Sequence, residues 1–370
     1  MTTPPRRPRT RFDWFVPIDG DGDHIGTLQA ERPPTFQYLK SVVEAAEEGG
    51  FYSLLVPTRF ANGLFEESAP LVETWTTVSA LAAVTKRARF LVAVRPGFIS
   101  VGLFAQMAAT LDQISGGRLD INIVAGGIQG DFERLGEKSD HAQRYSRAEE
   151  FIAACRALWE EPRPVDFKGR HLKLKGAICS PGPVGNGPRI YLGGASERAL
   201  GLAGRQSDVY LAWIEPVEDI AQRIDRARTK FAVANRPPSF GLRTHLIVRD
   251  TEDEAWKAAD DLLSLADETV KIQRSAIYRD TSMVGQRAQL RAAEKYRLGP
   301  HLWNGISTVR VNCGTALVGT PEQVAEELLS YWRLGIDEFI LSGFPHVEEC
   351  RRTATDLIPL VRELIERETN

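Results

Sequence analysis

The 370-residue chain has few of the residues that build cross-linked or metal-held folds: four cysteines and six histidines. The cysteines, at positions 155, 179, 313 and 350, form no C-x-x-C pair, and no two histidines stand in an H-x-x-x-H pattern. This spacing argues against a disulfide framework and against a metal cluster built from neighbouring positions. It predicts reduced thiols, as in a cytoplasmic protein.

Long hydrophobic runs and an excess of one charge are also absent. No apolar run approaches the roughly 18 residues of a membrane span, and the Pro- and Arg-rich segment 1–11 has no hydrophobic stretch of the secretory kind. With 46 basic and 49 acidic residues the net charge is −3, so no global positive field favours nucleic acid or anionic lipid. We therefore expect a cytoplasmic protein that binds neither nucleic acid nor membrane.

Short apolar runs alternate with amphipathic helical stretches along most of the chain. Eight runs are typical of buried strands: 12–18, 52–56, 89–94, 118–124, 189–192, 208–213, 242–248 and 337–341. Helical periodicity lies between them, for example in 35–49, 101–115 and 144–160. The pattern predicts an α/β fold, a (β/α)8 TIM barrel in one domain over residues 1–370. An open doubly wound sheet is the alternative.

Three segments interrupt this alternation: 127–143, 162–187 and 271–300. The second contains a predicted hairpin around 167–171. The third is rich in Arg and Lys and poor in apolar periodicity, which is typical of a lid over an active site or of a solvated surface loop. We expect 271–300 to be a mobile lid insertion.

Chemically distinctive residues stand where predicted strands end, and barrel active sites lie on that face. Asp19 follows the first strand and is open to three interpretations: catalysis, substrate binding or capping of a turn. Arg243 and His245 share one face of the seventh strand if it alternates regularly. Burying both is costly unless an anionic ligand or a carboxylate partner compensates.

A second group of candidates lies at neighbouring strand ends. The segment 193–197 (GGASE) offers close backbone approach and a helix N-terminus suited to phosphate, although Ser196 as a plain N-cap explains it equally well. Trp213 ends the sixth strand, and it is either a wall for a flat ligand or a part of the hydrophobic core. Arg310 is a candidate second anion contact, and His346 follows the last strand at the same rim.

Nine short motifs occur in a fixed order along the chain. They are F-V-P (15–17) with G-D-G (20–22), A-T-L-D (109–112) with S-G-G-R (115–118), N-I-V-A-G (122–126), H-A-Q-R-Y (141–145), Y-L-G-G-A-S (191–196), Y-L-A-W (210–213), R-T-H (243–245), C-G-T-A-L-V-G (313–319) and L-S-G-F-P-H (341–346). Their order, over about residues 12–360, resembles the bacterial luciferase-like superfamily of flavin-dependent monooxygenases. Within it the chain is most similar to the alkanesulfonate monooxygenase branch.

The resemblance implies a barrel that binds reduced FMN (FMNH2) supplied by a separate NAD(P)H-dependent flavin reductase. It implies that O2 and an organosulfonate react there to give sulfite and an aldehyde, in a homodimer or homotetramer, with 271–300 as the lid. By motif position it implies catalytic and anion-binding roles for Arg243, His245 and Arg310, and a substrate-side role for Trp213 and His346. The same correspondence places six residues beside the cofactor: Asn122, Ala125, Tyr145, Gly194, Ala195 and Ser196.

The chain departs from the branch on the expected substrate side. It has Ile18-Asp19 where the branch has Thr-His, and Arg59-Phe-Ala-Asn62 with an insertion where the branch has a Cys. Asp19, Arg59 and Asn62 add polar groups, so we hypothesise a hydroxyl-rich substrate, the sulfo-sugar sulfoquinovose. The alternatives are a short alkanesulfonate, a dimethylsulfone-type substrate, an oxidoreductase dependent on the deazaflavin F420, and a non-catalytic flavin-binding protein.

Overall fold

The computed structural model of the chain describes residues 9–127, 129–160, 163–279 and 296–369 and contains a closed barrel of eight parallel strands. With strands numbered in chain order, the barrel strands are β1 (Arg11–Phe15), β2 (Ser53–Val56), β3 (Arg89–Val94), β4 (Leu119–Ile123), β7 (Ile190–Gly193), β8 (Val209–Trp213), β9 (Phe240–Arg243) and β13 (Glu338–Leu341). They pair in the order β1-β13-β9-β8-β7-β4-β3-β2. The predicted barrel is confirmed, and the open-sheet alternative is wrong.

Helices connect the strands and cover the outside of the barrel. They are α1 (Phe36–Glu48), α2 (Thr74–Val84), α3 (Val101–Ser115), α4 (Gln129–Arg134), α5 (His141–Glu160), α6 (Glu197–Gln206), α7 (Val217–Val233), α8 (Glu252–Leu263), α9 (Glu268–Arg279), α10 (Pro321–Arg333), α11 (His346–Arg352) and α12 (Ile358–Thr369). Their ends follow the local sequence: Thr251 and Thr320 each form a capping box, and Gly116 ends α3 in the left-handed conformation.

The seventh predicted strand, 242–248, is not one strand. Strand β9 ends at Arg243, and after Thr244 the chain enters β10 (His245–Val248), which pairs with β12 (Ala316–Gly319). Strand β12 also pairs with β11 (Leu302–Trp303), which completes a small sheet beside the barrel. The single-strand prediction is therefore wrong, because the backbone changes partner here. The amide of Thr244 still bonds to β13, whereas that of His245 bonds to Thr315.

The other predicted insertions are partly described. Strands β5 (Val165–Lys168) and β6 (Lys173–Ala177) form the predicted hairpin against α5. Of the predicted lid 271–300, residues 280–295 lie outside the described residues, and 271–279 belong to α9. The lid therefore stays a prediction, while its first residues are part of a regular helix.

The side chains inside the barrel are acidic at its floor and different at its mouth. Three acidic residues are buried on the inner face: Asp13, Asp120 and Glu338. In each of the three strands, the residue two positions later also faces inward and lines the pocket at the mouth. Two of those residues, Phe15 and Ile340, belong to an apolar cluster inside the barrel. Carboxyl groups therefore form the barrel floor, and apolar side chains separate them from the mouth.

Asp13 on this floor makes the stability of the protein depend on pH. Burial, together with the charge of Glu338 and a hydrogen bond to it, raises the pKa of Asp13 well above its usual range. Above about pH 4 the native state then binds more protons than the unfolded chain, so the free energy of unfolding falls as pH rises toward the raised pKa. We expect Asp13→Asn, which keeps a neutral hydrogen-bond donor, to be more stabilising at pH 8 than at pH 5.

Urea unfolding at the two pH values measures this difference. Asp225→Asn is the matched control, because Asp225 is exposed on α7 and its effect should be small and similar at both values. An equal effect of Asp13→Asn at pH 5 and pH 8 would contradict the prediction.

Candidate active site

A pocket opens where the barrel strands end at their C-termini. It contains about 1320 Å³ of empty space, including its open mouth. Each of the eight barrel strands contributes at least one lining residue: Phe15, Leu55, Ala93, Asn122, Gly193, Trp213, Arg243 and Ile340 are examples. Barrel enzymes carry their active sites at this face.

The pocket wall is positively charged. Five arginines line it, and the described lining includes no Asp or Glu: the five are Arg59, Arg95, Arg223, Arg243 and Arg310. Carboxylates lie behind some of them, since Nε of Arg59 is 3.1 Å from Oδ2 of Asp19 and Arg223 forms an ion pair with Glu215. The wall therefore favours an anionic ligand, which arginine binds with several directed donors.

Arg243 and Arg310 lie against the same aromatic ring. Their guanidinium carbons are 4.7 Å and 5.2 Å from the centre of the Phe15 ring. Nη2 of Arg243 donates to Oγ of Ser342 at 2.8 Å. Burial, reinforced by the nearby charge of Arg310, lowers the pKa of Arg243 to about 9, so the group stays charged at neutral pH. Two buried cations side by side are costly, and an anion between them would offset that cost.

His245 lies behind Arg243 and is not part of the pocket lining. Its Nε2 is 3.0 Å from the carbonyl oxygen of Cys313, and its Nδ1 is 2.8 Å from Oγ of Ser342. A carbonyl only accepts, so we assign the proton to Nε2, and Nδ1 then accepts from the Ser342 hydroxyl. Burial lowers the pKa of His245 well below its usual range, which keeps the ring neutral. The result is a directed chain from Arg243 through Ser342 and His245 to a backbone carbonyl.

A second region of the pocket, after β7, has the features of a phosphate site. Ser196 caps α6, its hydroxyl accepting from the amide of Ala199, and the Tyr145 hydroxyl lies 3.0 Å from where a Cβ at Gly194 would be. Gly194 has a φ of +134°, and a Cβ there would lie 2.7 Å from that of Ala199. The ring of His141 is 4.8 Å from that of Tyr145. A helix N-terminus, two hydroxyls and a close backbone approach form a suitable cradle for a phosphate.

The structure brings ten of the fourteen predicted site residues together in this pocket. They are Arg59, Asn122, Ala125, Tyr145, Gly194, Ala195, Ser196, Trp213, Arg243 and Arg310. The other four are outside the lining: Asp19, Asn62, His245 and His346.

Those four side chains are engaged behind the pocket wall. Asp19 holds Arg59. Asn62 donates to two backbone carbonyls and accepts from two backbone amides, so it has no hydrogen-bonding group left for a substrate. Nδ1 of His346 is 3.0 Å from Oδ2 of the buried Asp21. We infer that the four brace the pocket, and their positions do not support direct contact with a substrate.

Polar lining residues that were not predicted as site residues include Arg95, His141, Arg223 and Asn312. Arg95 directly follows β3, a strand-end position that the sequence pattern does indicate in a barrel. His141 lies in the H-A-Q-R-Y motif. Arg223 comes from the middle of α7, and no local signal distinguishes it from other helix-surface arginines.

The described part of the chain provides no other obvious cofactor site. Within it, no group of three or more His, Cys, Asp or Glu side chains is placed to hold a metal ion. All four cysteines are buried and free. In the same residues, no helix combines the length and the apolar character that crossing a bilayer requires.

The fold and the charged mouth are those of a barrel enzyme that takes an anionic ligand at the C-terminal ends of its strands. Residues 10–338 match the family model described as luciferase-like monooxygenase, and the chain belongs to this family. It is therefore an oxidoreductase of the monooxygenase class.

Solved structures share the fold at low sequence identity. A riboflavin lyase, determined with a modified FMN and riboflavin, is 18% identical with a TM-score of 0.79, covering 96% of this chain and 92% of that one. DmoA from Hyphomicrobium sulfonivorans is 20% identical with a TM-score of 0.78, covering 98% and 89%. EDTA monooxygenase from Chelativorans sp. BNC1 is 17% identical with a TM-score of 0.77, covering 96% and 94%.

Proposed function

We propose that the protein is an FMNH2-dependent monooxygenase that cleaves the C–S bond of an organosulfonate with O2, releasing sulfite and an aldehyde. The observation that carries the proposal is the group of five arginines in a pocket whose described lining has no acidic residue. A sulfonate stays anionic at every physiological pH and needs fixed positive charge. Arg243 and Arg310, buried against one ring, supply it.

The residues present fit FMN. The cradle of Gly194, Ser196 and Tyr145 suits its phosphate, and Asn122 and Ala125 line the pocket where the flavin ring would lie. Reduced FMN, when bound, supplies the electrons with which O2 is activated. The largely apolar walls keep water away from that chemistry. We propose that a separate NAD(P)H-dependent flavin reductase delivers the reduced cofactor, and that the protein works as a homodimer or homotetramer.

The roles of the individual side chains follow from their contacts. Arg243 and Arg310 bind the sulfonate and stabilise the negative charge of the departing sulfite. The Ser342–His245 pair positions Arg243, because its hydrogen bonds fix where the guanidinium points. Trp213 forms part of the wall beside Arg243.

Sulfoquinovose is our specific candidate for the substrate. Arg59 belongs to the segment that departs from the alkanesulfonate pattern, and it lines the pocket with Asp19 holding it in place. An additional fixed hydrogen-bond donor on that side suits a substrate with hydroxyl groups better than a plain alkyl chain. A short alkanesulfonate is the alternative within the same reaction.

A sulfite-release assay tests the proposal. The protein is supplied with FMN, a flavin reductase, NADH and O2, and sulfite is measured with sulfoquinovose, alkanesulfonates of two to eight carbons and dimethylsulfone in parallel. We expect sulfite from the sulfonates, and most from the sugar. No sulfite from any sulfonate would overturn the proposal, and reduction of F420 by an alcohol without O2 would favour the deazaflavin alternative.

Ser342→Ala tests the positioning of Arg243. The change removes the acceptor of Nη2 of Arg243 and leaves Nδ1 of His245 without its donor, so only backbone carbonyls still fix the orientation of the guanidinium. We expect KM for the sulfonate to rise by about tenfold, with a smaller change in kcat, since one hydrogen bond to a charged group is lost.

Steady-state kinetics with sulfite as the readout separates the two constants. Ser342→Thr, which keeps the hydroxyl, should recover most of the lost KM. Ser330→Ala on α10 is the control, because the Ser330 hydroxyl donates only to the carbonyl of Glu326 in its own helix. A fall in kcat at constant KM, or no recovery by threonine, would argue against positioning.

A further inference from the structure

A second cavity adjoins the pocket and has no role in the function described so far. Its empty space of about 310 Å³ includes open solvent, and it lies between the segment after β2, the start of α4 and helix α9. Its polar lining includes Arg59, Asn62, Glu67, Arg95, Asp131 and Arg274, and we call this cavity the side chamber. Arg59, Arg95 and Asn312 line both cavities, so the side chamber is next to the main pocket.

The walls of the side chamber are fixed by hydrogen bonds. Arg274, fully buried on α9, donates to the backbone carbonyls of Asn62 and Val309, each at 3.2 Å, and also to that of Phe65. Asn62 in turn holds the turn at 64–65 through its side-chain oxygen. The side chamber is therefore preformed for a group of about the size of one water molecule, such as a hydroxyl.

Arg95 and Asp131 are buried in the side chamber without satisfying each other. Oδ2 of Asp131 is 3.9 Å from Nη2 of Arg95, beyond hydrogen-bond distance. Nε and Nη1 of Arg95 have no hydrogen-bond partner among the described residues, and water reaches little of the residue because only 6% of it is exposed. Leaving buried donors of a charged group unpaired is costly. A ligand that bonds to both groups would offset this cost.

The two charges select the chemistry of that ligand. A second oxyanion would accept from Arg95 but would meet the carboxylate of Asp131, and an alkyl end would leave both groups unsatisfied. A hydroxyl group donates and accepts at once, which matches a guanidinium and a carboxylate held slightly too far apart.

We propose that the side chamber binds one hydroxyl group of the substrate, with Arg95 donating and Asp131 accepting. This deepens the proposed function and rests on it, because Arg243 and Arg310 hold the sulfonate. Arg59 lines both cavities. The substrate class is therefore a hydroxylated sulfonate.

Binding to the FMN-loaded protein tests the proposal without turnover. Isothermal titration uses three probes: sulfoquinovose, 1-hexanesulfonate and 6-sulfohexanoate, which end in hydroxyls, an alkyl group and a carboxylate. For Asp131→Asn we expect the affinity for sulfoquinovose to fall by about tenfold more than that for hexanesulfonate, because the amide oxygen is a weaker acceptor for the hydroxyl than the carboxylate. The affinity for 6-sulfohexanoate should rise, because a like charge has been removed.

Two further variants keep the test decisive. Asp261→Asn on α8, an exposed carboxylate, should change none of the three affinities. Arg95→Met/Asp131→Leu replaces both charges by apolar groups, so it avoids an unpaired buried charge and should fold while losing the preference for the sugar.

Equal losses on sulfoquinovose and hexanesulfonate in Asp131→Asn, or tighter binding of 6-sulfohexanoate than of the sugar to the unmodified protein, overturn the proposal. Preferential binding of the sugar that depends on Asp131, with no sulfite formed in the assay above, supports the side chamber and rejects the monooxygenase reaction. The two failures are therefore distinguishable.

Discussion

Replacing Arg243 by methionine is expected to lower kcat/KM for the sulfonate by about 10²- to 10⁴-fold, the cost of removing one partner from a buried charge pair. The guanidinium is buried at the end of β9, aimed by Ser342 and next to Arg310. Methionine fills similar space without a charge, so the sulfonate would be buried beside one cation fewer. Lysine keeps the charge but not the fork of donors, and Arg243→Lys should fall between the two.

Sulfite release measured over a range of sulfonate concentrations gives this ratio. Titration with oxidised FMN shows whether cofactor binding has been lost as well. Arg226→Met is the control, because Arg226 lies exposed on α7 in an ion pair with Glu197 and should leave the kinetics unchanged. Sulfite release by Arg243→Met within about threefold of the unmodified protein would contradict the anion-binding role, since that difference is under 1 kcal/mol.

Replacing Gly194 by alanine is expected to weaken FMN binding by about 100-fold and to reduce the free energy of unfolding by about 2–3 kcal/mol. At a φ of +134° an L-residue is strained, and the added Cβ would lie 2.7 Å from Cβ of Ala199 and 3.0 Å from the Tyr145 hydroxyl. Relieving that overlap moves the helix start or the hydroxyl, and both belong to the phosphate cradle.

Gly50→Ala separates backbone strain from crowding. Gly50 also has a positive φ, +71°, but nothing lies within 4 Å of the position of its Cβ. It should therefore cost only about 1 kcal/mol of stability and leave FMN affinity unchanged. Urea unfolding and fluorescence titration measure the two effects. If Gly194→Ala behaves like Gly50→Ala in both, the crowding argument for the cradle fails.

Local sequence patterns predicted most of the barrel but not the break in its seventh strand. Residues 242–248 contain no Gly, Pro or other turn signal, so nothing local separates β9 from β10. The break depends on the pairing of β10 with β12, about 70 residues further on, which competes with the barrel for the same backbone. Residues 316–319 were not recognised as a strand because only that pairing makes them one.

The candidate site, too, has residues that the sequence could predict and others whose positions it could not predict. Arg243 and Trp213 were predictable because each ends a strand in a barrel, and Arg95, directly after β3, had the same signal. Asn122 was predicted from the family resemblance alone. The bracing positions of Asn62 and His245 depend on hydrogen-bond partners that only the folded chain brings near. A sequence pattern gives the residue type at such positions but not which of its atoms remain available.

The change of partner at Thr244 has a consequence for how specificity can evolve. Arg243 belongs to the barrel and His245 to the small sheet of β10, β12 and β11, and one peptide unit joins them. A shift of the small sheet tilts the imidazole and so re-aims the cation, although no residue of β11 or β12 lines the main pocket. Substitutions in β11 or β12 can thus change which anionic group the pocket prefers, although the residues that line the pocket stay the same.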